Sequence, residues 1–201
     1  MNFEKIKPSC RMYASIEVEY EDGKKLLTDK LDVEYAFIRC GETWGSGRII
    51  FNDADGMFYE SGKIATCTIC FKDENGNISG RKFSCNPDGK GLVRVLQGGK
   101  PQRCQLGFLI PRSEEVQECV YCLDSDCIHH MESWADYIHG SGNESHVLKS
   151  SRFFFSLPDD KVILSFEGGE KEYRVKQISY LYRRGFAFEA ELELVESGGM
   201  L

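Results

Sequence analysis

The segment 186–195, FAFEAELELV, is the clearest secondary-structure signal in the chain. Apolar and acidic residues alternate strictly along it. The apolar positions are Phe186, Phe188, Ala190, Leu192 and Leu194, and the acidic ones are Glu189, Glu191 and Glu193. A period of two is typical of a β-strand that buries one face. Burial of each large side chain on that face contributes about 1.5–3 kcal/mol. The segment therefore predicts a half-buried strand with an acidic stripe.

Similar segments run through most of the chain, each rich in alternating, β-branched or aromatic residues. Turn sequences such as Asp22-Gly23 and Gly98-Gly99 separate them. The glycine-rich segment 41–47 also reads as a turn, since it lacks the Lys-Ser/Thr of a phosphate-binding loop. The predicted strands are 16–20, 33–39, 48–51, 63–72, 81–85, 92–96, 104–110, 152–157, 161–166, 173–178 and 186–195. Short strands at close spacing predict an all-β protein.

Composition divides this all-β chain into three predicted parts. Residues 1–112 form an antiparallel β-sandwich, 113–146 form a Cys/His-rich insert, and 147–201 form a second small β-meander or barrel. Within the insert, His130, Trp134 and Ile138 recur at positions i, i+4 and i+8. That spacing predicts one short amphipathic helix over 131–139.

Charge and hydropathy exclude several classes of function. The 201 residues include 25 Lys+Arg and 32 Asp+Glu, a net charge of −7. Direct nucleic-acid binding is disfavoured because such a chain has little charge with which to neutralise phosphates. No apolar run reaches the roughly 18 residues of a membrane-spanning helix. The start, MNFEKIKP, lacks the apolar region of a signal peptide. We expect a cytoplasmic, reducing location and no membrane contact.

The strongest chemical motif is Cys119-x2-Cys122-x4-Cys127-x-His129, followed by His130. Three thiolates and one imidazole would complete a closed tetrahedral zinc site. The spacing is shorter than in familiar zinc modules, and His130, His139 or His146 could replace His129. Without metal, the motif is a loop of neighbouring cysteines. With four protein ligands the zinc would be structural, because it would hold together an insert too small to have its own core.

Other cysteines and carboxylates have simpler interpretations. The pair Cys67-x2-Cys70 lies in a predicted strand, where positions i and i+3 face opposite sides, so core packing is expected. The remaining cysteines are expected to be small buried residues: Cys10, Cys40, Cys85 and Cys104. The motifs beginning at Asp53 and Asp73 have the wrong residues for a calcium loop and are predicted turns. The sequence contains no G-x-S-x-G and no H-E-x-x-H motif, and we expect no enzymatic activity.

Two parts of the chain resemble virion proteins of tailed bacteriophages. In 38–110, the series IRCGET (38–43), RIIFNDADG (48–56), SGKIAT (61–66), FKDENG (71–76) and DGKGLV (88–93) resembles the N-terminal immunoglobulin-like domain of baseplate upper proteins. In 147–196, the series SRFFF (151–155), PDDKVIL (158–164), GGEKEYRV (168–175) and 186–195 is similar to the closing strands of the small β-barrels in head–tail joining and stopper proteins.

These resemblances imply a non-enzymatic phage structural or adaptor protein in the neck or tail, with other virion proteins as partners and a homo-oligomeric ring as its assembly. The candidate interface residues are Glu189, Glu191, Glu193, Arg183 and Arg184, with the glutamates facing a basic neighbour or a lumen. One alternative is a small acidic regulatory protein that inhibits a nucleic-acid enzyme through carboxylates replacing phosphates. A zinc-dependent enzyme is a third reading, and it requires an open metal position in a cleft.

Overall fold

The computed structural model describes residues 11–41, 43–58, 63–72, 83–87, 93–111, 120–124, 128–135, 144–150, 156–166, 169–184 and 189–196. Every regular element in these ranges is a β-strand, which confirms the predicted all-β class. The strands are β1 (Tyr13–Tyr20), β2 (Lys25–Cys40), β3 (Trp44–Asp53), β4 (Ile64–Lys72), β5 (Phe83–Pro87), β6 (Arg94–Gln97), β7 (Gln102–Pro111), β8 (Val120–Asp124), β9 (Ile128–Ala135), β10 (Glu144–Ser150), β11 (Lys161–Phe166), β12 (Gly169–Arg183) and β13 (Glu189–Glu196).

Six N-terminal strands pair in a closed antiparallel circuit in the order β1, β2, β3, β7, β5 and β4, with β4 returning to β1. Closure leaves no free edge along the circuit, as in a small barrel. The short β6 adds to β7. Strand β2 extends beyond the circuit. One of its edges pairs with β3, and the other edge pairs first with β1 and then with β12. It therefore connects the two parts of the sheet.

The C-terminal strands continue this same sheet. From β12 the pairing runs through β13 and β10 to β9, and on the other side through β11 to β8. Only the β8–β11 pair is parallel among the described strands. Three residues connect Asp124 at the end of β8 to Ile128 at the start of β9. Such a link spans at most about 14 Å, so the two ends of this path lie near each other and this part of the sheet is also curled.

One cluster of buried apolar side chains includes residues from both parts of the sheet. The circuit contributes Ile16, Phe51 and Phe108 among others, and the C-terminal strands contribute Val162 and Tyr173. Buried tyrosine hydroxyls add polar links, since Tyr180 bonds to the backbone N–H of Ser156 at 3.0 Å. The division into segments at 112 and 146 stays a prediction, but strands from the first and third of these segments are joined in one sheet.

The glycine-rich segment differs from its predicted turn. Gly45 and Gly47 lie inside β3, paired with Cys40 and Ile38 on one side and with Ile110 and Phe108 on the other. A Cβ at Gly47 would stand 2.4 Å from two ring atoms of Phe108. Glycine is present here because the Phe108 ring occupies the space of a side chain, so close packing rather than turn geometry explains the residue.

The predicted insert also differs. Residues 120–124 and 128–135 of this insert are strands, although the sequence of 113–143 has no alternating pattern. The helix predicted over 131–139 is therefore wrong for residues 131–135. Residues 136–139 lie outside the described ranges. Strand β9 pairs with β10 from Ile128 to Ala135, and this backbone pairing overrides the local helical spacing. The strand predicted at 152–157 is not formed at Ser156 and Leu157, which lead into a turn at Asp159.

Several smaller predictions are confirmed. Cys67, Cys70, Cys40 and Cys104 are buried in the core, while Cys10 and the side chain of Cys85 lie outside the description. The Asp53 motif is a turn: the fully buried carboxylate accepts hydrogen bonds from the backbone N–H groups of Gly56 at 3.1 Å and Phe58 at 2.8 Å. The Asp73 motif lies outside the described residues.

Candidate protein–protein interface

The outer side of the curled sheet carries the surface best suited to bind another protein. Along β2, β3, β7 and β12, alternate residues such as Ile38, Ile49, Leu106 and Tyr180 are buried in the core. The intervening residues are therefore on the outer side of the sheet. We call the following set the arginine face: Arg39, Arg48, Arg94, Arg183, Tyr35, Phe37, Trp44, Ile50, Leu109 and Leu181.

Strand register places these residues in neighbouring rows. Arg183 is opposite Tyr35, which is opposite Ile50 on β3. This row continues through Gln105 of β7 to Arg94 of β6. Residues in register on antiparallel strands have Cβ atoms about 4.5–5.5 Å apart, so each row is a continuous strip of surface.

The next rows lie two residues along each strand. Leu181, Phe37 and Arg48 are in register across β12, β2 and β3. Beyond them Arg39 is opposite Ser46, which is opposite Leu109. Trp44 pairs with Pro111 at the end of the face. Arginine and apolar side chains are thus interleaved over five strands: β12, β2, β3, β7 and β6.

Three of the large apolar residues of this face are exposed to solvent. Trp44 is 64% exposed, Leu109 43% and Phe37 39%. Scattered apolar residues are normal on a surface, but a group of them among arginines has the composition of the centre of a protein–protein interface. The face can bury aromatic area and offer guanidinium groups to carboxylates in the same contact.

Charged residues at the border of this face are already paired with one another. Glu34 accepts a hydrogen bond from Asn52 at 2.9 Å and one from Arg103 at 2.6 Å. Arg184 forms an ion pair with Asp32. By contrast, no described residue forms an ion pair with any of the four arginines of the face. Their charge is available to a partner.

The predicted interface residues fall into two groups. Arg183 lies within the arginine face, whereas Arg184 is at its border and is paired with Asp32. In β13, Glu189, Glu191 and Glu193 are in register with Leu181, Ser179 and Gln177 of β12. The same strand pairs with β10 along its other edge. It is therefore an interior strand, and its glutamates are not needed to block pairing at a sheet edge.

The predicted zinc ligands are only partly within the described ranges. Cys122 lies in β8, and His129 and His130 lie in β9, but nothing is described of their side chains. Cys119 and Cys127 lie outside. In the described part of the chain, no group of three or more His, Cys, Asp or Glu side chains could hold a metal ion. The short link between β8 and β9 nevertheless keeps the backbones of the two strand ends close together.

Sequence reasoning missed the arginine face except for Arg183. A signal was present in β2, where Tyr35, Phe37 and Arg39 alternate with Ala36 and Ile38. Both sets of alternate positions contain large apolar residues. The sequence therefore does not show which set faces outward and which lies in the core. The outer face became visible only when β3, β7 and β12 were placed beside β2.

Solved structures with a similar fold include a tail protein and a component of the type VI secretion system. The tail protein from Neisseria meningitidis MC58 matches with a TM-score of 0.50 at 10% identity, over 93% of this chain and 97% of that one. A chain in the PdpA–VgrG complex of Francisella matches with a TM-score of 0.57 at 7% identity, and this chain spans 60% of its length.

A third structure is the c3393 protein of E. coli, a type VI secretion component described as similar to the T4 tail proteins gp27 and gp5. It matches with a TM-score of 0.52 at 7% identity, over 84% of this chain and 74% of that one. No protein-family model and no curated protein sequence matches the chain. At these identities the matches establish the fold alone, and the expected resemblance to tailed-phage structural proteins is confirmed as a likeness of fold.

No helix among the described residues is long and apolar enough to cross a membrane.

Proposed function

We propose that this protein is a non-enzymatic structural component of a phage tail or a related tail-like assembly, acting through protein–protein interfaces. The observation that carries the proposal is the match to the Neisseria tail protein, which covers nearly all of both chains. The arginine face supports it independently, because it combines exposed aromatic residues with arginines that form no ion pair with any described residue, and this composition suits an interface of an assembly.

Within such an assembly, we assign the chain to a homo-oligomeric ring at the neck or tail, in contact with other virion proteins. Rings form when one surface of a subunit binds a different surface of the next and the rotation closes. The arginine face is a candidate for one of these two surfaces. The PdpA–VgrG complex is itself an assembly of different proteins, which agrees with a role in contact with other subunits.

We also propose a structural zinc ion in the segment around β8 and β9, held by Cys119, Cys122, Cys127 and either His129 or His130. A closed site of this kind would stabilise strands at the end of the sheet, where each has one partner strand among the described ones. It would leave no open position for catalysis, in agreement with a structural role.

Native mass spectrometry of the protein purified without chelator tests these proposals together. We expect a ring-sized oligomer that carries one zinc ion per chain. A monomer at all concentrations would contradict the assembly proposal and would favour an inhibitor that binds a nucleic-acid enzyme. A metal-free oligomer would contradict the zinc proposal alone, because mass resolves subunit number and bound metal separately.

A further inference from the structure

The arginine face has dimensions that limit what it can bind. Arg183 and Arg94 lie at the two ends of one row that crosses β12, β2, β3, β7 and β6. The four intervals between these paired strands span about 19 Å. Along β3 the face extends from Trp44 to Ile50, a distance of about 20 Å. A helix of about 13 residues is equally long, so the face accommodates one helix or one extended segment of a partner.

Positive charge on this face is not balanced within the face itself. The rows from Tyr35 to Trp44 contain no carboxylate on the five strands from β12 to β6. The carboxylates at the border, Glu34 and Asp32, are already paired with arginines outside the face. Beyond β12 the rows continue into β13, where strand register places glutamates. The uncompensated positive charge therefore lies between β12 and β6.

Aromatic side chains lie beside three of the four arginines. Phe37, which is 39% exposed, is opposite Arg48 in register and two residues from Arg39 on the same strand. Tyr35 is opposite Arg183. Cβ atoms of residues in register are about 4.5–5.5 Å apart, and alternate residues of one strand are about 7 Å apart. A partner segment that rests an apolar side chain on Phe37 therefore brings a neighbouring carboxylate within reach of two guanidinium groups.

A second copy of the chain is less suited to this face, because many of its described carboxylates already have basic partners. These pairs are Glu19 with Lys25, Glu21 with Lys63, Asp22 with Lys24, Asp29 with Lys72, and Glu172 with Lys161. A contact made through these carboxylates would exchange one basic partner for another and would gain little. A protein with unpaired carboxylates gains the whole interaction.

Phosphate groups are the other common partners of arginine. Duplex DNA carries one negative charge for about every 1.7 Å of its length, and a chain of net charge −7 repels such a polyanion at long range. Leu109 and Leu181 of the face would also meet no apolar counterpart on a phosphate backbone. A protein segment carries fewer charges and supplies apolar side chains for these leucines, so it fits the face better.

We propose that the arginine face binds an acidic amphipathic segment of a different protein of the assembly, in which Asp or Glu residues lie beside large apolar ones. This inference rests on the proposed function: it assigns the face to the contact with another virion protein and leaves the contact between copies to other surfaces. The carboxylates of the segment bind Arg39 and Arg48, whose planar guanidinium groups each offer two parallel hydrogen bonds. Phe37, Trp44 and Leu109 lose their exposure in the contact and exclude water from the charge pairs.

The probe is a displayed library of random peptides of about 15 residues, long enough for a helix that spans the face. The library is selected on the immobilised full-length protein. The enriched peptides should contain an excess of Asp and Glu together with Phe, Trp or Leu. Measured by fluorescence anisotropy, the most enriched peptide should bind R39E/R48E about tenfold or more weakly than the wild type. The same peptide with lysine at its acidic positions should prefer R39E/R48E, because the charges are exchanged.

Matched controls change charge or apolar area elsewhere. K24E/K25E changes the net charge by the same amount at the hairpin between β1 and β2, where both lysine side chains are 69% exposed, and it should bind the peptide as the wild type does. Phe37→Ser should weaken binding several-fold. Leu27→Ser removes a leucine that is 68% exposed outside the face and should leave binding unchanged. Circular dichroism and thermal unfolding of every variant establish that each is folded.

The outcomes separate this inference from the proposed function. Selection without acidic enrichment, or peptides that bind R39E/R48E as well as the wild type, would overturn the inference. Arginine-dependent binding of a short duplex DNA that is tighter than that of any selected peptide would overturn it in favour of a nucleic acid. Loss of self-assembly in R39E/R48E, measured by analytical ultracentrifugation, would overturn it in favour of a second copy. A wild type that stays monomeric in native mass spectrometry contradicts the proposed ring separately, because peptide binding does not depend on subunit number.

Discussion

The phenol oxygen of Tyr182 in β12 accepts a hydrogen bond from the backbone N–H of Met12 at 3.1 Å, across 170 positions of the sequence. Both residues are buried. The carbonyl of Met12 accepts a further bond from the N–H of Val33 in β2 at 3.1 Å. Met12, immediately before β1, is thus bonded to both strands that connect the two parts of the sheet.

Replacing Tyr182 by Phe tests this link. The substitution would leave the buried N–H of Met12 without its acceptor, so we expect the free energy of unfolding to fall by about 1–3 kcal/mol. Urea denaturation measures the change. Tyr35→Phe is the control, because that tyrosine is on the outer face and only half-buried; it should change stability little. Equal effects of the two substitutions would contradict the role assigned to Tyr182.

Gly47→Ala tests the close packing of β3 against β7. The new Cβ would lie 2.4 Å from atoms of the Phe108 ring, so we expect a loss of about 1–3 kcal/mol from overpacking. Gly98→Ala is the matched control, since nothing lies within 4 Å of a Cβ there. Combining Gly47→Ala with Phe108→Leu should cost less than the two changes added together. Additive losses would show that the two residues do not compete for the same space.

Asp53→Ala tests whether the turn after β3 depends on one carboxylate. Asp53 accepts bonds from two backbone N–H groups and from the side chain of Gln102 at 3.2 Å. Removing it leaves buried donors unsatisfied, at a cost of about 1–3 kcal/mol. Asp55→Ala, at an exposed position of the same turn, should be nearly neutral. Added calcium should leave the melting temperature of the wild type unchanged, and a clear increase would mean that the motif binds the ion.

The pH dependence of stability should include a contribution from Cys40. Burial raises the pKa of this thiol from 9.0 to about 12. The folded state then keeps a proton that the unfolded state releases, so stability is complete below pH 9 and is lost progressively between about pH 9 and 12. Cys40→Ala should reduce the slope of unfolding free energy against pH over the accessible part of that range. Burial raises the pKa of Tyr180 as well, so some slope should persist; an unchanged slope would contradict the contribution of Cys40.

Zinc retention tests the proposed ligands. Cys122→Ser should release the metal from the native protein, measured by mass spectrometry and by a colorimetric zinc assay. Cys67→Ala, a change at a buried cysteine of β4, should retain it. Separate alanine variants of His129 and His130 identify the fourth ligand, with His139 and His146 as further candidates. Retention of zinc by Cys122→Ser would remove this residue from the site.

The sequence by itself determined the class of fold and most of its strands. Alternation in segments such as 186–195 predicts strands because a half-buried strand repeats every two residues, and that relation is local. The burial of Cys67 and Cys70 and the turn at Asp53 followed from the same local reasoning. The predicted helix over 131–139 was wrong in its first part because pairing with β10 is a long-range contact, which local spacing does not encode.

Only the tertiary structure decided which apolar residues face outward and which charges lie together. Phe37 and Ile38 are adjacent and both apolar, yet Ile38 is buried and Phe37 is exposed. Position 47 is a glycine because the ring of Phe108, 61 positions later, fills the space of a side chain. Arg39, Arg48, Arg94 and Arg183 form one face because β6, β7, β3, β2 and β12 are neighbours. Which strands become neighbours depends on the burial of the whole core. A candidate interface built from several strands therefore has no recognisable pattern in the sequence of any one strand.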